Sequence, residues 1–457
     1  MRCTLLALLL TISLFPLSAE DPFGDWPADS DGSGPAAEAT ETGLDSGFSA
    51  YGYVKSAARL GVGSLSSAGE DTEGNGALTT LRLKADWEPE ALVSAHVEIN
   101  FETSRGYLNP YGFQEASGLD ALAAAAGGQT AAQLQAANPQ DRFHSQLTVD
   151  HAWGLFSAGP LDLKLGKMPV AWGTAYAFNP LDRVNSGGDF GGAEGEETPG
   201  STGLLPSLQM GGPLTLSGYL VYEEKSRSAP AGAAGGNPDN YPFGLKLQGY
   251  HGPVDWSLGF VKEVLYLSSA DDYRRRYYLG GELFTTVGDG GVYAEAVCRM
   301  PGENGTIDFS DESEWPQTFQ VAAGGEYTLE GGTTLRGEYY FHGAGADNKR
   351  DYQPLELLSG ELAMLGRHYL FAMACHTFID YLEVRLAALA NLSDGSWVLL
   401  PEVSYALRPN VQLTAAGLLP WGPRGSEMDG RFDIQPGAVP PVDLVEGGLQ
   451  IEAKLSF

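Results

Sequence analysis

From Gly47 to the last residue, apolar and polar side chains alternate with a period of two over stretches of about ten residues. The final stretch, Val445 to Phe457, shows it best. Val445, Leu449, Ile451, Ala453, Leu455 and Phe457 share one parity with Gly447, while Glu446, Gln450, Glu452, Lys454 and Ser456 take the other. Successive strand residues point to opposite faces, so this stretch predicts a strand with one apolar and one polar face. The same rule sets Leu81, Leu83, Ala85 and Trp87 against Arg82, Lys84 and Asp86, and Ala95, Val97, Ile99 and Phe101 against His96, Glu98 and Asn100. Leu335, Tyr339 and Phe341 oppose Arg336, Glu338 and His342, and Leu382, Val384 and Leu386 oppose Glu383 and Arg385. Leu204 to Met210 and Val254 to Val261 alternate less cleanly.

Between these stretches the chain reverses by turns of two different lengths. Short reversals rich in Gly, Pro, Asn and Asp stand at 87–90, 157–160, 211–213, 251–253, 288–290, 330–332, 379–380 and 408–410. Longer polar loops stand near 62–76, 104–143, 169–200, 225–240, 265–273, 301–315, 343–362 and 420–442, with one short loop at Asn391 to Ser396. Together they join about eighteen strands, with sixteen as the alternative count. One strand with an apolar face also suits the edge of a soluble sandwich, but a sandwich has no reason to alternate short turns with long loops. The pattern predicts an all-β protein: a closed antiparallel transmembrane β-barrel, apolar outside and polar inside.

Composition sharpens this picture in a few places. Only 43% of residues are hydrophobic, which suits a barrel that presents every second strand residue to lipid. Sixty-one Gly and 21 Tyr fit strand bends and aromatic girdles. Met1-Arg2, an apolar run from Leu5 to Leu17 and small residues to Ala19 predict a signal peptide over 1–19, which takes Cys3 with it. Residues 20–46, acidic and without alternation, predict a disordered lead-in, leaving 47–457 for the barrel. A net charge of -31 argues against nucleic acid as a partner. Parity points Cys298 and Cys375 outward as two small apolar side chains, with no disulfide between them.

Two loops stand apart. Gln114 to Gln140 is alanine-rich around Gly127-Gly128 and predicts one or two short helical turns, folded into the barrel mouth or packed on top of it. The loop from Pro169 to Gly200 carries Trp172, Tyr176, Asp182, Arg183 and Asp189 around the turn Asn179-Pro180-Leu181-Asp182. Its aromatics, fixed turn and mixed charge make it the candidate for narrowing the interior, against the alternative of an outward surface loop.

Interior parity collects charges of both signs. Lys84, Lys246, Arg276, Arg299, Arg336 and Arg385 share it with Glu98, Glu295, Glu338 and Glu383, the candidate lining residues, and so do Lys55, Arg59, Arg82, Lys164, Asp150, Glu282 and Glu402. Such walls set up a transverse field that orients polar solutes, or simply support a polar interior. His96, His342, His368 and His376 are placed inward too, but no serine stands in a nucleophile motif near them. No CxxC or HExxH occurs, so no catalytic residue, metal ligand or cofactor is assigned.

Ending on a strand with the aromatic Phe457 resembles the terminal signal of outer-membrane β-barrels of diderm bacteria. The resemblance implies a closing strand that pairs with the first strand and is presented to the barrel-assembly machinery. Gly166-Lys167, Trp172-Gly173 and Asn179-Pro180-Leu181-Asp182 resemble a motif of porin-like barrels, including those similar to alginate-export barrels. Asn391 to Ser396 and Gly417 to Gly422 are similar to the penultimate hairpins of such proteins, and Met168-Pro169 departs from the polar residue common after Gly-Lys. What the resemblance implies is a transport channel in the outer membrane, surrounded by its lipid, with short periplasmic turns and long extracellular loops. Passive passage of small hydrophilic solutes is the expected function. The alternative is a saccharide-specific exporter or uptake channel with Arg276, Arg299, Arg336 and Arg385 as a basic ladder. An enzyme barrel would need a catalytic set at the rim, and a structural anchor would need a plugged lumen. Monomer and trimer both remain open.

Overall fold

The computed structural model describes residues 47–62, 74–90, 92–109, 117, 119, 121–122, 133, 144–184, 200–222, 237–267, 272–302, 307–308, 318–358, 361–379, 381–434 and 441–457. The expected signal peptide and lead-in lie outside these residues, as do Asp189 and most of the alanine-rich loop.

Eighteen strands form one antiparallel sheet that closes on itself. In chain order they are β1 (Phe48–Gly61), β2 (Gly76–Glu90), β3 (Val93–Gly106), β4 (His144–Ala158), β5 (Leu161–Met168), β6 (Ser201–Gly211), β7 (Leu214–Val221), β8 (Phe243–His251) and β9 (Val254–Leu267). Then follow β10 (Asp272–Val287), β11 (Gly290–Arg299), β12 (Phe319–Thr328), β13 (Thr333–His342), β14 (His368–Ile379), β15 (Leu382–Asn391), β16 (Ser396–Arg408) and β17 (Val411–Trp421). A small hairpin, β18 (Arg431–Phe432) and β19 (Val442–Asp443), precedes the closing strand β20 (Gly448–Ser456). Both irregular stretches of the sequence are strands, β6 and β9. Pro206 and Pro401 lack an N–H, and pairing is interrupted beside each, between β6 and β7 and between β16 and β17.

Closure runs through β20. It pairs with β17 on one side and with β1 on the other, from Tyr53↔Ser456 to Gly61↔Gly448. The last residue takes part: Phe457 N donates to Gly52 O at 2.9 Å and Gly52 N donates to Phe457 O at 2.8 Å. The expected strand start at Val445 is corrected, because Val445 is buried in the loop-end core and Gly448 begins the ladder. A side chain at Gly448 would meet the Arg59 guanidinium at 2.6 Å.

Outside and inside are inverted relative to a water-soluble fold. Leu147 is 71% exposed and Ile451 69%, and Leu83, Leu258, Leu283 and Leu370 lie open on the same outer face. Phe48, Trp87, Phe156, Tyr327 and Tyr405 ring the turn end, and Tyr222, Phe319, Tyr339 and Trp421 the loop end. Lys55, Arg82, Glu98, Glu295 and Arg385 are buried inward. An apolar belt bounded by aromatic rings, with charge inside, is the surface of a transmembrane barrel. No helix among the described residues is long and apolar enough to cross a membrane.

Three inward or outward assignments are corrected. Cys375 shares the inner parity of Tyr369, Phe371 and Met373 on β14, and its register partner is Arg385. His368 and His376 consequently take the outer parity of that strand, where they bond Tyr339 Oη at 2.7 Å and Thr333 Oγ1 at 2.9 Å. Cys298 faces outward as expected, with its Sγ 3.5 Å from Thr318 Oγ1.

At the loop end the inner face of β14 to β17 is covered. Tyr369, Phe371, Met373, Leu389, Val398 and Leu418 of β14 to β17 form an apolar core with Met364, Leu365, Met428, Phe432 and Leu444 from the loops above, and Leu122 of the alanine-rich loop packs against it. Arg59 clamps this cap rather than facing open interior, donating to Gly74 O and Glu446 O at 2.6 Å each beneath the Tyr107 ring. Glu427 is buried in it, accepting from Tyr369 Oη at 2.5 Å, Asn391 Nδ2 at 2.6 Å and Leu365 N at 2.8 Å.

Placing a charge in the outer belt should be costly: Ile451→Arg, near the middle of the closing strand, should lower stability by about 2–4 kcal/mol in reversible unfolding from lipid vesicles. The cap should respond to pH. Burial pushes the Glu427 carboxyl up to about 7, and burial together with the charge of Glu446 pushes Asp443 up to about 7. Both folded-state values lie above the unfolded ones, so this stabilisation is complete below the unfolded carboxyl pKa and is lost as pH rises through about 7. Amide exchange in residues 426–434 and 441–446 should therefore accelerate over that range, beyond its intrinsic rate, and Glu427→Gln should flatten the response.

Candidate functional site

β5 is short, and the chain leaves it for the barrel interior. Gly166 (φ 125) and Gly173 (φ 130) hold backbone conformations that L residues rarely adopt. At Gly173 a Cβ would also sit 2.6 Å from Asn179 Oδ1 and 3.0 Å from Glu295 Oε2. The predicted turn forms, with Asp182 N donating to Asn179 O at 3.1 Å and Val184 N donating to Asp182 Oδ1 at 3.2 Å. The segment from Pro169 to Val184 thus lies against the inner wall.

Two wall glutamates hold its backbone. Glu295 of β11 accepts from Thr174 N at 3.0 Å, Ala175 N at 3.4 Å and Leu181 N at 2.5 Å. Glu338 of β13 accepts from Tyr176 N at 2.7 Å, Ala177 N at 3.2 Å, Phe178 N at 2.8 Å and Tyr293 Oη at 2.6 Å. A loop folded away from water must find partners for its N–H groups, and two ionisable carboxyls, on inward positions of the strands either side of β12, supply them. Glu295 is 0% exposed and Glu338 1%. Their place is therefore under the loop, and they do not line open interior.

Apolar contacts fix the rest. Leu181 packs where Gly259 and Gly280 pair across β9 and β10; a Cβ at either would come within 3.1 Å and 2.8 Å of a Leu181 methyl. Phe178 stacks on Tyr340 at 4.4 Å. Trp172 meets Tyr219 edge-on at 4.6 Å and lies over Gly244, with Lys246 Nζ 5.5 Å from its ring. Arg183 donates to Gln320 Oε1 at 2.6 Å, stacks over Tyr278 at 4.2 Å and lies 3.9 Å from Glu263.

The other expected wall residues are inward but engaged. Lys84 lies 3.5 Å from Glu98 and Lys246 3.3 Å from Glu282. Arg276 stands 3.9 Å from both Glu263 and Glu361. Arg336 pairs with Glu326 and covers the Tyr176 ring at 3.7 Å. Arg385 bridges Glu383 at 2.7 Å and Glu402 at 3.4 Å. Arg299 faces inward at the loop end of β11, opposite Tyr278. On the turn-end side of the loop, a cavity of about 340 Å³ remains between Thr174, Gln209, Lys246, Gln248, Ser257 and Glu282.

Sequence reasoning missed Glu263, Gln320, Tyr293 and Tyr340 as partners of the loop. The inward glycines Gly259 and Gly280 were the available signal, since a glycine facing a barrel interior leaves room for another chain segment.

No protein-family model matches the chain, and no curated protein matches it in sequence. Solved structures similar to it include a triple mutant of the Rhodopseudomonas blastica porin, with TM-score 0.42 and 10% identity over 90% of this chain and 100% of that one. Another is a loop-deletion mutant of OmpT, an outer membrane protein of Vibrio cholerae, with TM-score 0.40, 9% identity and coverage of 90% and 99%. Salmonella typhi OmpF in complex with daunomycin has TM-score 0.41, 8% identity and coverage of 90% and 98%.

Removing the Glu338 acceptor should release the loop. Glu338→Ala leaves three backbone N–H groups and the Tyr293 hydroxyl without their partner. The expected loss is about 3 kcal/mol or more of local stability, read as trypsin cleavage after Arg183 accelerated by roughly two orders of magnitude. Glu338→Gln, which keeps one acceptor oxygen, should fall between.

Proposed function

We propose that the barrel is a porin-like channel in the outer membrane of a diderm bacterium, through which small hydrophilic solutes pass by diffusion. The observation that carries this reading is the loop segment from Pro169 to Val184, held inside the barrel by Glu295 and Glu338. A rigid segment narrowing a polar interior selects by size and charge without a moving part. Trp172, Tyr176, Asp182 and Arg183, with Asp189 beyond the described residues, are the constriction residues on this reading. Opposed charges on the cavity wall, Lys246 with Glu282, orient dipolar solutes. Affinity for any solute must stay weak, because tight binding would stop flux. The short turns then face the periplasm, and Phe457 closes the barrel and is the end handed to the assembly machinery.

A saccharide-specific channel of the alginate-export kind needs Arg276, Arg299, Arg336 and Arg385 as one ladder. Arg276 and Arg299 belong to the loop end, and Arg336 and Arg385 to the turn end. That separation favours diffusion over the specific channel. The apolar filling under the loops favours a closed structural barrel instead, and conductance separates the two.

Refolded protein in planar bilayers should give steady ohmic steps, with larger steps for the Glu295→Ala/Glu338→Ala double variant. Silence from a demonstrably folded barrel would overturn the diffusion channel in favour of a gated exporter or an anchor.

A further inference from the structure

His96 and His151 are far apart in the chain and lie on neighbouring strands, β3 and β4. The ladder between these strands slips by one residue at Glu98, which pairs with His151, while Ile99 pairs with Val149. Asp150 is the extra residue, and the bulge turns both Asp150 and His151 inward. Glu98 is 0% exposed, with His96 Nε2 3.6 Å and His151 Nδ1 3.3 Å from its Oε2. One ligand atom from each of the three residues lies within 4.8 Å of the other two. Donors about 2.0–2.1 Å from a tetrahedral ion stand roughly 3.3 Å apart, so these separations suit a shared metal.

We propose that His96 Nε2, Glu98 Oε2 and His151 Nδ1 form a binding site for a divalent transition-metal ion of the zinc, copper or nickel kind on the inner wall of the barrel. Three further features of the cluster suit that role. Asp86 Oδ1 lies 2.6 Å from His96 Nδ1, so this nitrogen donates to the carboxylate and the Nε2 lone pair faces Glu98. A carboxylate behind a histidine is the usual outer partner of a metal-binding imidazole. Arg82 stands on the other oxygen, 2.9 Å from Glu98 Oε1, and is itself held by Asp150 at 2.6 Å, which leaves Oε2 on the histidine side. In charge, Asp86, Glu98 and Asp150 outnumber Arg82 and Lys84, so an added cation is not repelled by the cluster as a whole. Imidazole with a single carboxylate selects borderline metals over calcium or magnesium, which prefer all-oxygen sites. The competing group is Lys84, whose Nζ lies 3.5 Å from Glu98 Oε2 and must swing away when a metal enters.

The site does not depend on the channel reading, and its test reads metal binding directly. Full-length protein, refolded in detergent and freed of metal, is titrated with Co²⁺ while visible absorption is followed, and Zn²⁺ is then added in competition. One saturable Co²⁺ per chain, displaced by Zn²⁺, is the expected result, with His96→Ala and His151→Ala abolishing it. Asp86→Asn should weaken binding by about 10- to 100-fold through loss of the outer partner. Lys84→Met should tighten it by about tenfold, because one competing positive charge is gone, and a damaged fold cannot produce that direction of change. No saturable binding by the unaltered protein would overturn the site, as would binding that both histidine substitutions leave unchanged or that Lys84→Met weakens.

Discussion

The loop inside this barrel is arranged around two buried carboxyls, Glu295 and Glu338. A loop that leaves the wall and enters the interior carries backbone N–H groups that a regular strand would have paired, and each unmet one costs about 1–3 kcal/mol. Glu295 and Glu338 meet six of them between residues 174 and 181. The dependence is mutual, since carboxyls this deeply buried would themselves be costly without donors. Loop position and wall chemistry are therefore a single feature, and Gly173, Gly259 and Gly280 provide the close approach that lets them meet.

That arrangement divides the interior by wall. β9 to β14 are spent on holding the loop, through Leu181, Phe178, Arg183 and the two glutamates. The opposite wall, from β2 to β4, carries Arg82, Lys84, His96, Glu98, Asp150 and His151, free of that task and bonded among themselves. A bulge in β4 packs that cluster more densely than a regular ladder would, because two successive residues face inward. The two walls thus differ in kind: one is covered by backbone, and the other presents ionisable side chains.

A second division runs along the barrel axis. Toward the turns the inward positions are polar and ion-paired. Toward the loops, β14 to β17 present Tyr369, Phe371, Leu389, Val398 and Leu418, which no water-filled interior requires. Loop residues such as Leu365, Met428 and Leu444 cover them, so the apolar inner surface is buried like the core of a soluble domain. The cap is consequently a folded part of the protein, with its own acids, buried Glu427 and half-buried Asp443.

Much of this was legible in the chain because a strand's inward and outward faces are a local matter of parity. Leu449, Ile451, Ala453 and Leu455 face outward on β20, and Lys84, Glu98, Arg336 and Arg385 face inward, as alternation alone requires. Turn chemistry was equally local: Gly159-Pro160, Gly252-Pro253 and Pro409-Asn410 stand at reversals because few other residues take those conformations. Parity failed where the two faces are alike, as on β14, where the apolar inner run of Tyr369, Phe371 and Met373 hides which way Cys375 and His376 point. Which glutamate binds a loop backbone and which pairs with an arginine had no sequence signal, because both are inward acids on alternating strands. The ladder from β11 through β12 to β13, and the bulge that brings His151 to Glu98, join residues far apart in sequence. Only closure of the sheet sets those distances, so the chain by itself determined the barrel and its faces, and the tertiary structure decided what each inward side chain holds.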